Sequence, residues 1–372
     1  MPDFAGYAIV GGVAAVVTFA TTPIVRVFAH RVGAVVEPDE RRVHTRPTPN
    51  IGGLAMYFGF LAAMFTAWSL DRFTPLFLGS SEPLGVVLAA TVALAVGLAD
   101  DLREWSAPAK VAGLVIAGSI LSIFGVVMFN FRVPFFDLVI LSNDMKPLIT
   151  VLWVMGMANA INLIDGLDGL AAGIVAIASG TFFLYGQQLL DQEPPLLDAA
   201  NIGPLIAVVV LGMCVGFLPH NFNPARIFMG DGGALMLGLL MAASTSVVGG
   251  RVTEPFSGQT YFFFAPLFIP LVILGVPILD TLWAIVRRAY RRHGVATPDK
   301  GHLHHRLMRL GHGQRRSVLI LWLWTALLSG FVLYPTYTGD GDAVVPLGIA
   351  ALGLALYTVL HPEARRSRAG QK

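Results

Sequence analysis

The chain has 372 residues, of which 55% are hydrophobic and only 13% charged, with a formal net charge of +2 and a mean hydropathy of +0.69. A soluble globular chain is nearer a quarter charged, so this balance excludes a large soluble protein with buried helices. Its one cysteine, Cys214, excludes an intramolecular disulfide.

Apolar runs long enough to cross about 30 Å of hydrocarbon, roughly 20 residues each, recur along the whole length. They predict an all-α polytopic membrane protein with eleven spans at 5–29, 50–69, 83–99, 108–128, 146–163, 168–188, 202–219, 232–249, 262–286, 317–334 and 344–360. The first run is too long for the core of a signal peptide and has Asp3 ahead of it instead of a basic residue, so it reads as a retained span. Residues 1–362 are expected to form one membrane-embedded domain, followed by a basic cytoplasmic tail over 363–372.

Charge asymmetry orients the chain. With the N-terminus outside and the C-terminus in the cytoplasm, all of the 25 Lys and Arg residues except Arg72, Arg132, Lys146 and Arg251 fall on the cytoplasmic side. All nine histidines fall there too. The outward loops at 70–82, 129–145, 189–201, 250–261 and 335–343 are short, read as irregular and carry no assigned chemistry.

Five inward segments (31–49, 100–110, 159–170, 220–233 and 287–316) differ from ordinary connectors. The first runs from Asp39 through His44 and Arg46 to Pro47, Pro49 and Gly52-Gly53. Its prolines stiffen the chain, its glycines admit a ligand or another backbone, and its basic residues either set topology or hold an anion. The second carries Asp100-Asp101, Arg103, Glu104 and Lys110 at the inner end of a span. Adjacent carboxylates there must be solvated, paired or metal-bound, and oxygen-rich groups of this kind suit Mg²⁺.

The third segment reads Asn159-Ala160-Ile161-Asn162-Leu163-Ile164-Asp165-Gly166-Leu167-Asp168-Gly169. On a helix Asn159 and Asn162 share one face, and Asp165 and Asp168 repeat the spacing. Four oxygen donors inside an apolar stretch point to a site. The fourth segment, from His220 to Gly233, ends in Phe228-Met229-Gly230-Asp231 at the mouth of a span. Free N–H groups at that helix N-terminus are expected to receive phosphate or metal-bound anions. The fifth holds His302-Leu303-His304-His305-Arg306 beside Arg287, Arg288, Arg291 and Arg292, a set better matched to clamping a pyrophosphate than to a zinc site.

Together these segments resemble the polyprenyl-phosphate N-acetylhexosamine-1-phosphate transferases, over roughly residues 35–312. The resemblance rests on Pro49–Gly53, Asp100-Asp101, Asn159–Gly169, Phe228–Asp231 and His302–Leu307, in family order. The histidine loop looks like the branch that transfers N-acetylglucosamine-1-phosphate, not like the peptidoglycan branch with its Pro-x-His-His-His-Phe-Glu. One departure is Ala234, where the family often has Ser.

The resemblance implies a reaction in which UDP-N-acetylglucosamine and a polyprenyl phosphate give polyprenyl-diphospho-N-acetylglucosamine and UMP. This would be the first membrane step of a cell-envelope polysaccharide. It implies Mg²⁺, with Mn²⁺ as a substitute, held by Asp231 and Asn162. It makes Asp100, Asp101, Asp165 and Asp168 the catalytic candidates, with Asp100 and Asp101 beside the acceptor phosphate and Asp165 and Asp168 orienting the nucleotide. Lys110, Asn159, His44, His302, His304, His305 and Arg306 become the substrate-binding candidates. The expected partners are UDP-N-acetylglucosamine, the lipid phosphate and the cell membrane, with a homodimer allowed and nucleic acid excluded. The competing readings are a muramoyl-pentapeptide transferase and, from another class, a transporter. The transporter reading is disfavoured because the carboxylates lie near span ends and no repeat is evident.

Overall fold

A computed structural model describes residues 3–37, 47–103, 105–133, 136–251, 313–338 and 344–360. The described part is a helical bundle with two small two-stranded sheets. Its helices are α1 (Phe4–Val32), α2 (Gly53–Ser69), short α3 (Thr74–Leu78), α4 (Glu82–Arg103), α5 (Ala107–Ile123), α6 (Met145–Ile164), α7 (Leu170–Leu190), α8 (Gly203–Asn221), α9 (Gly230–Val248), α10 (Gln314–Thr338) and α11 (Val344–Leu360).

Seven of these (α1, α4, α6, α7, α8, α9 and α10) are long and apolar enough to cross a membrane, and the count reaches eight if α2 and the segment Asp71–Leu78, bent by 87°, form one span. The chain is therefore a multi-pass membrane protein. A described helix overlaps each expected span except 262–286, which lies outside the described residues.

The bundle is organised around α9. Every residue in its membrane-length window is buried, and α2, α4, α6, α7 and α8 pack on it. Its sequence explains this: a helix apolar on all sides belongs in a core, and its small residues let neighbouring backbones come close. A Cβ on Gly53 of α2 would lie 2.2 Å from the Gly233 nitrogen, one on Gly97 of α4 2.3 Å from the Gly232 nitrogen, and one on Gly238 2.4 Å from the Cα of Ala158 on α6. The α1–α8 contact follows the same rule, since a Cβ on Gly212 would fall 2.2 Å from the carbonyl oxygen of Gly11.

The outward stretch 129–145, expected to be irregular, instead contains a hairpin of β3 (Asn130–Val133) and β4 (Phe136–Ile140). Apolar and β-branched residues there satisfy their backbone groups by pairing with each other, a solution that span-by-span hydropathy does not register. Beside it Arg251 pairs with Glu82 and donates to the Gly125 carbonyl at 2.8 Å, tying the start of α4 to the end of α9 next to a cavity of about 370 Å³.

Candidate active site

At the opposite end of the bundle two loops and two helix ends converge. The segment after α1 forms β1 (Val35–Val36), which pairs antiparallel with β2 (Thr48–Pro49). From β2 the chain runs directly along residues 228–229. Phe228 N–H donates to the Pro49 carbonyl at 2.8 Å, Gly52 N–H to Phe228 O at 2.9 Å and Gly53 N–H to Met229 O at 2.8 Å. The paired glycines thus admit another backbone, one of the two uses open to them. A Cβ on Gly52 would sit 2.6 Å from Phe228 O.

Gly230 then turns the chain into α9 at φ 70°, in the left-handed region that favours glycine. A side chain there would also strike the Asn50 carbonyl at 2.1 Å and the Asp101 carboxylate at 2.5 Å.

The N-terminus of α9 corrects one expectation. Its leading N–H groups do not stand open to a ligand anion, because Asp101 from the last turn of α4 already accepts from them. Asp231 N–H donates to Asp101 Oδ1 at 3.0 Å and Gly232 N–H to Oδ2 at 3.1 Å, while the Asn50 amide donates to Oδ1 at 2.8 Å. The physical reason is the usual one for a buried helix start: orphan donors and the positive end of the dipole need an acceptor, and here an internal carboxylate supplies it.

Asp100, one residue earlier on α4, points into a different neighbourhood. Its Oδ1 accepts from Trp105 N–H at 2.7 Å and its Oδ2 from the Lys110 ammonium at 2.9 Å. The same ammonium lies 3.2 Å from Asp231 Oδ2. These three side chains remain partly open, at 15%, 29% and 25% exposure for Asp100, Lys110 and Asp231. One lysine therefore serves two carboxylates, with Asp101 bonded directly behind them.

Asp165, in the turn after α6, feels this negative field. Burial, and then the charges of Asp231, Asp101 and Asp168, push its carboxyl up to about 8 from the ordinary 3.8. The folded protein thus holds this proton more tightly than the unfolded chain. The group's contribution to stability is full below about pH 4 and is lost as pH rises toward 8. Asp165→Asn should therefore raise the melting temperature of the metal-free protein at pH 9 and leave it nearly unchanged at pH 4. An equal gain at both pH values would contradict this assignment.

The 165–169 turn is itself locked. Gly169 adopts φ 77°, and its N–H donates to Asn221 Oδ1 at 3.0 Å, while the Asn221 amide donates to the Ile227 carbonyl at 3.0 Å. Asp168 is buried and accepts at Oδ2 from the Asn223 amide at 2.8 Å and from Ala225 N–H at 3.0 Å. Both asparagines of the third segment lie on α6. Asn162 is half-buried in its last turn, whereas Asn159 is exposed and donates to the Met155 carbonyl at 2.7 Å.

The geometry thus brings Asp100, Asp101, Lys110, Asp165 and Asp231 into one electrostatic neighbourhood and holds Asp168 in an adjoining hydrogen-bond network. His44, His302, His304, His305 and Arg306 lie outside the described residues. Sequence reasoning missed Asn50, Asn221 and Asn223 as individuals, although each stands inside a segment it singled out. A neutral amide among histidines and aspartates carries no charge to flag it.

Among the described residues no three carboxylate, imidazole or thiolate side chains form a ready-made metal cage. A cation held by one or two carboxylates and completed by substrate phosphates and water needs no such cage. Two carboxylates that already share one ammonium fit that requirement.

Residues 83–249, from α4 through α9, match the family model described as "Glycosyl transferase family 4". The chain is similar to a "Decaprenyl-phosphate N-acetylglucosaminephosphotransferase" of Mycolicibacterium smegmatis, with 37% identity over 368 residues covering 98% of this chain and 90% of that one. It is 38% identical over 305 residues to a "Probable undecaprenyl-phosphate N-acetylglucosaminyl 1-phosphate transferase" of Bacillus subtilis, covering 81% and 77% of the two chains. A "Phospho-N-acetylmuramoyl-pentapeptide-transferase" of Desulforudis audaxviator is 31% identical over 338 residues, covering 84% and 93%. The motifs, the carboxylate cluster they build and these relatives agree: the chain belongs to glycosyl transferase family 4, the phosphoglycosyl transferases.

Proposed function

We propose that the protein transfers N-acetylglucosamine-1-phosphate from UDP-N-acetylglucosamine to a polyprenyl phosphate, releasing UMP. The observation that carries the proposal is the sharing of Lys110 between Asp100 and Asp231, 2.9 and 3.2 Å away, at one end of the bundle. An anionic cluster with one mobile cation suits a reaction between two phosphates, because it can redistribute positive charge as the substrates arrive.

The acceptor's phosphate oxygen forms a bond to the phosphorus that carries the sugar, and the bond from that phosphorus to the UMP oxygen breaks, UMP leaving with the electron pair. Asp231 and Asn162 would hold Mg²⁺, which when bound neutralises pyrophosphate charge and stabilises charge at the reacting phosphorus. Asp100 takes the proton from a protonated acceptor phosphate. Lys110, released from its two carboxylates, turns to a phosphate oxygen and stabilises negative charge as it develops. The 165–168 turn orients the nucleotide end. Asp101 keeps the N-terminus of α9 in register beneath the reacting atoms. Attack is direct, since a covalent step would need a nucleophile that the sequence does not single out.

In the membrane this reading has eleven spans, with the N-terminus outside and the site facing the cytoplasm, where the nucleotide sugar is found. The lipid phosphate reaches the site from the bilayer. The histidine and arginine side chains of 302–306, with His44, complete the phosphate clamp, and the product starts a cell-envelope polysaccharide.

Purified protein given polyprenyl phosphate should release UMP with UDP-N-acetylglucosamine and not with UDP-N-acetylmuramoyl-pentapeptide. Chelation should abolish release, and Mg²⁺ or Mn²⁺ should restore it. No UMP with either donor would sink the proposal. Release only from the muramoyl donor would transfer the protein to the peptidoglycan branch.

A further inference from the structure

Asn223 links three segments through its side chain and its backbone oxygen. Its amide nitrogen donates to Asp168 Oδ2 at 2.8 Å and to Gln314 Oε1 at 2.8 Å. In return Arg315 Nε donates to the Asn223 backbone oxygen at 3.0 Å and to its Oδ1 at 3.2 Å. Asp168 belongs to the turn that carries Asp165, Asn223 to the segment leading into Asp231, and Gln314 and Arg315 to the first turn of α10.

Further along, α10 is seated on α7 without a gap. The Trp322 ring occupies the space left by Gly173, where a Cβ would come within 1.9 Å of it, and the Trp322 indole N–H donates to the Leu170 carbonyl at 3.4 Å. The helix pair is therefore held by shape at Gly173 and Trp322 and by Asn223 at its site end.

The chemistry at this node is demanding. It needs a donor toward a carboxylate, a second donor toward an amide oxygen, and an acceptor toward a guanidinium, which a carboxamide provides on one short side chain. Aspartate would set a second negative charge against Asp168, and an apolar residue would leave the buried Asp168 carboxylate short of a donor.

We propose that Asn223 is a positioning residue for donor binding: by clasping Asp168 to the start of α10 it fixes the 165–168 turn without touching substrate. This rests on the reading above that the turn orients the nucleotide.

Asn223→Ala should raise the KM for UDP-N-acetylglucosamine about tenfold while kcat stays within about threefold, the loss expected for one or two partly buried hydrogen bonds away from the reacting atoms. Asp168→Asn and Asn223→Asp should each be at least as impaired. Combining them should give a KM clearly below that of the worse single variant, because donor and acceptor exchange places. In the exchanged pair the new carboxylate still accepts from Arg315, and the Gln314 amide rotates to donate to it.

An exchange no better than the worse single variant would overturn the proposal, since it would mean that the carboxylate at 168 is needed in its own right. An unchanged KM in Asn223→Ala would overturn it as well. A thermal-melting cycle of Asn223→Ala and Gln314→Ala needs no substrate. Non-additive losses support the clasp and additive ones overturn it. Absence of UMP release by the wild type would instead fall on the functional proposal, and the melting cycle would still decide the clasp.

Discussion

Replacing Asp231 by Asn should lower kcat by at least about 10³-fold and leave the protein folded. The two halves of that expectation have separate origins. The fold at this position uses the backbone N–H of Asp231, which donates to Asp101 and is untouched by the substitution. A carboxamide also keeps an oxygen for the Lys110 ammonium, now 3.2 Å away. Only the negative charge is lost, and with it the ability to help concentrate positive charge around the reacting phosphates. UMP release and thermal melting, measured on the same preparation, test both halves. Full activity in Asp231→Asn would remove Asp231 from the chemistry, and a collapsed melting temperature would show that its charge serves the fold.

The neighbouring pair Asp100-Asp101 should separate in the opposite sense. Asp101→Ala strands the Asn50 amide and the N–H groups of Asp231 and Gly232, all in a half-buried setting. At about 1–3 kcal/mol per stranded donor, the loss in stability is on the order of 3–9 kcal/mol, and activity falls with it as the start of α9 shifts. Asp100→Ala removes two bonds in a more open position, from Trp105 N–H and from Lys110. It should retain a melting temperature within a few degrees of wild type while losing turnover. Denaturation in detergent or reconstituted lipid distinguishes the two. A wild-type melting curve for Asp101→Ala would contradict its assignment as the cap of α9.

The contrast shows what the sequence could and could not disclose. Hydropathy located the helices because each must satisfy its backbone internally and present apolar side chains to lipid. The Asp-Asp pair, the Asn/Asp segment and Gly-Asp-Gly were legible as chemistry because charge and amide groups are costly to leave in hydrocarbon without a purpose. The division of labour between Asp100 and Asp101 was not legible. Consecutive residues on a helix point about 100° apart, so the two carboxylates face different partners, and Asp101 meets N–H groups 130 and 131 residues further on. Gly52 and Gly53 were flagged as points of close approach, but only the fold shows that residues 228, 229 and 233 are what approaches. Asn223 lay inside a flagged segment, yet its importance depends on Gln314, 91 residues away. The β3–β4 hairpin escaped notice because a hydropathy window searches for spans and discounts what lies between them.

Lys110 has a consequence for how the protein assembles. Two carboxylates on separate helices, α4 and α9, would repel one another as those helices come together in a medium that screens charge poorly. The ammonium, carried on α5 next to α4 in the chain, travels with Asp100 and is already present when α9 arrives with Asp231. The bundle can therefore close on its own internal counter-ion. Biogenesis in the bilayer and the later loading of substrates become separate events, each able to proceed without waiting for the other.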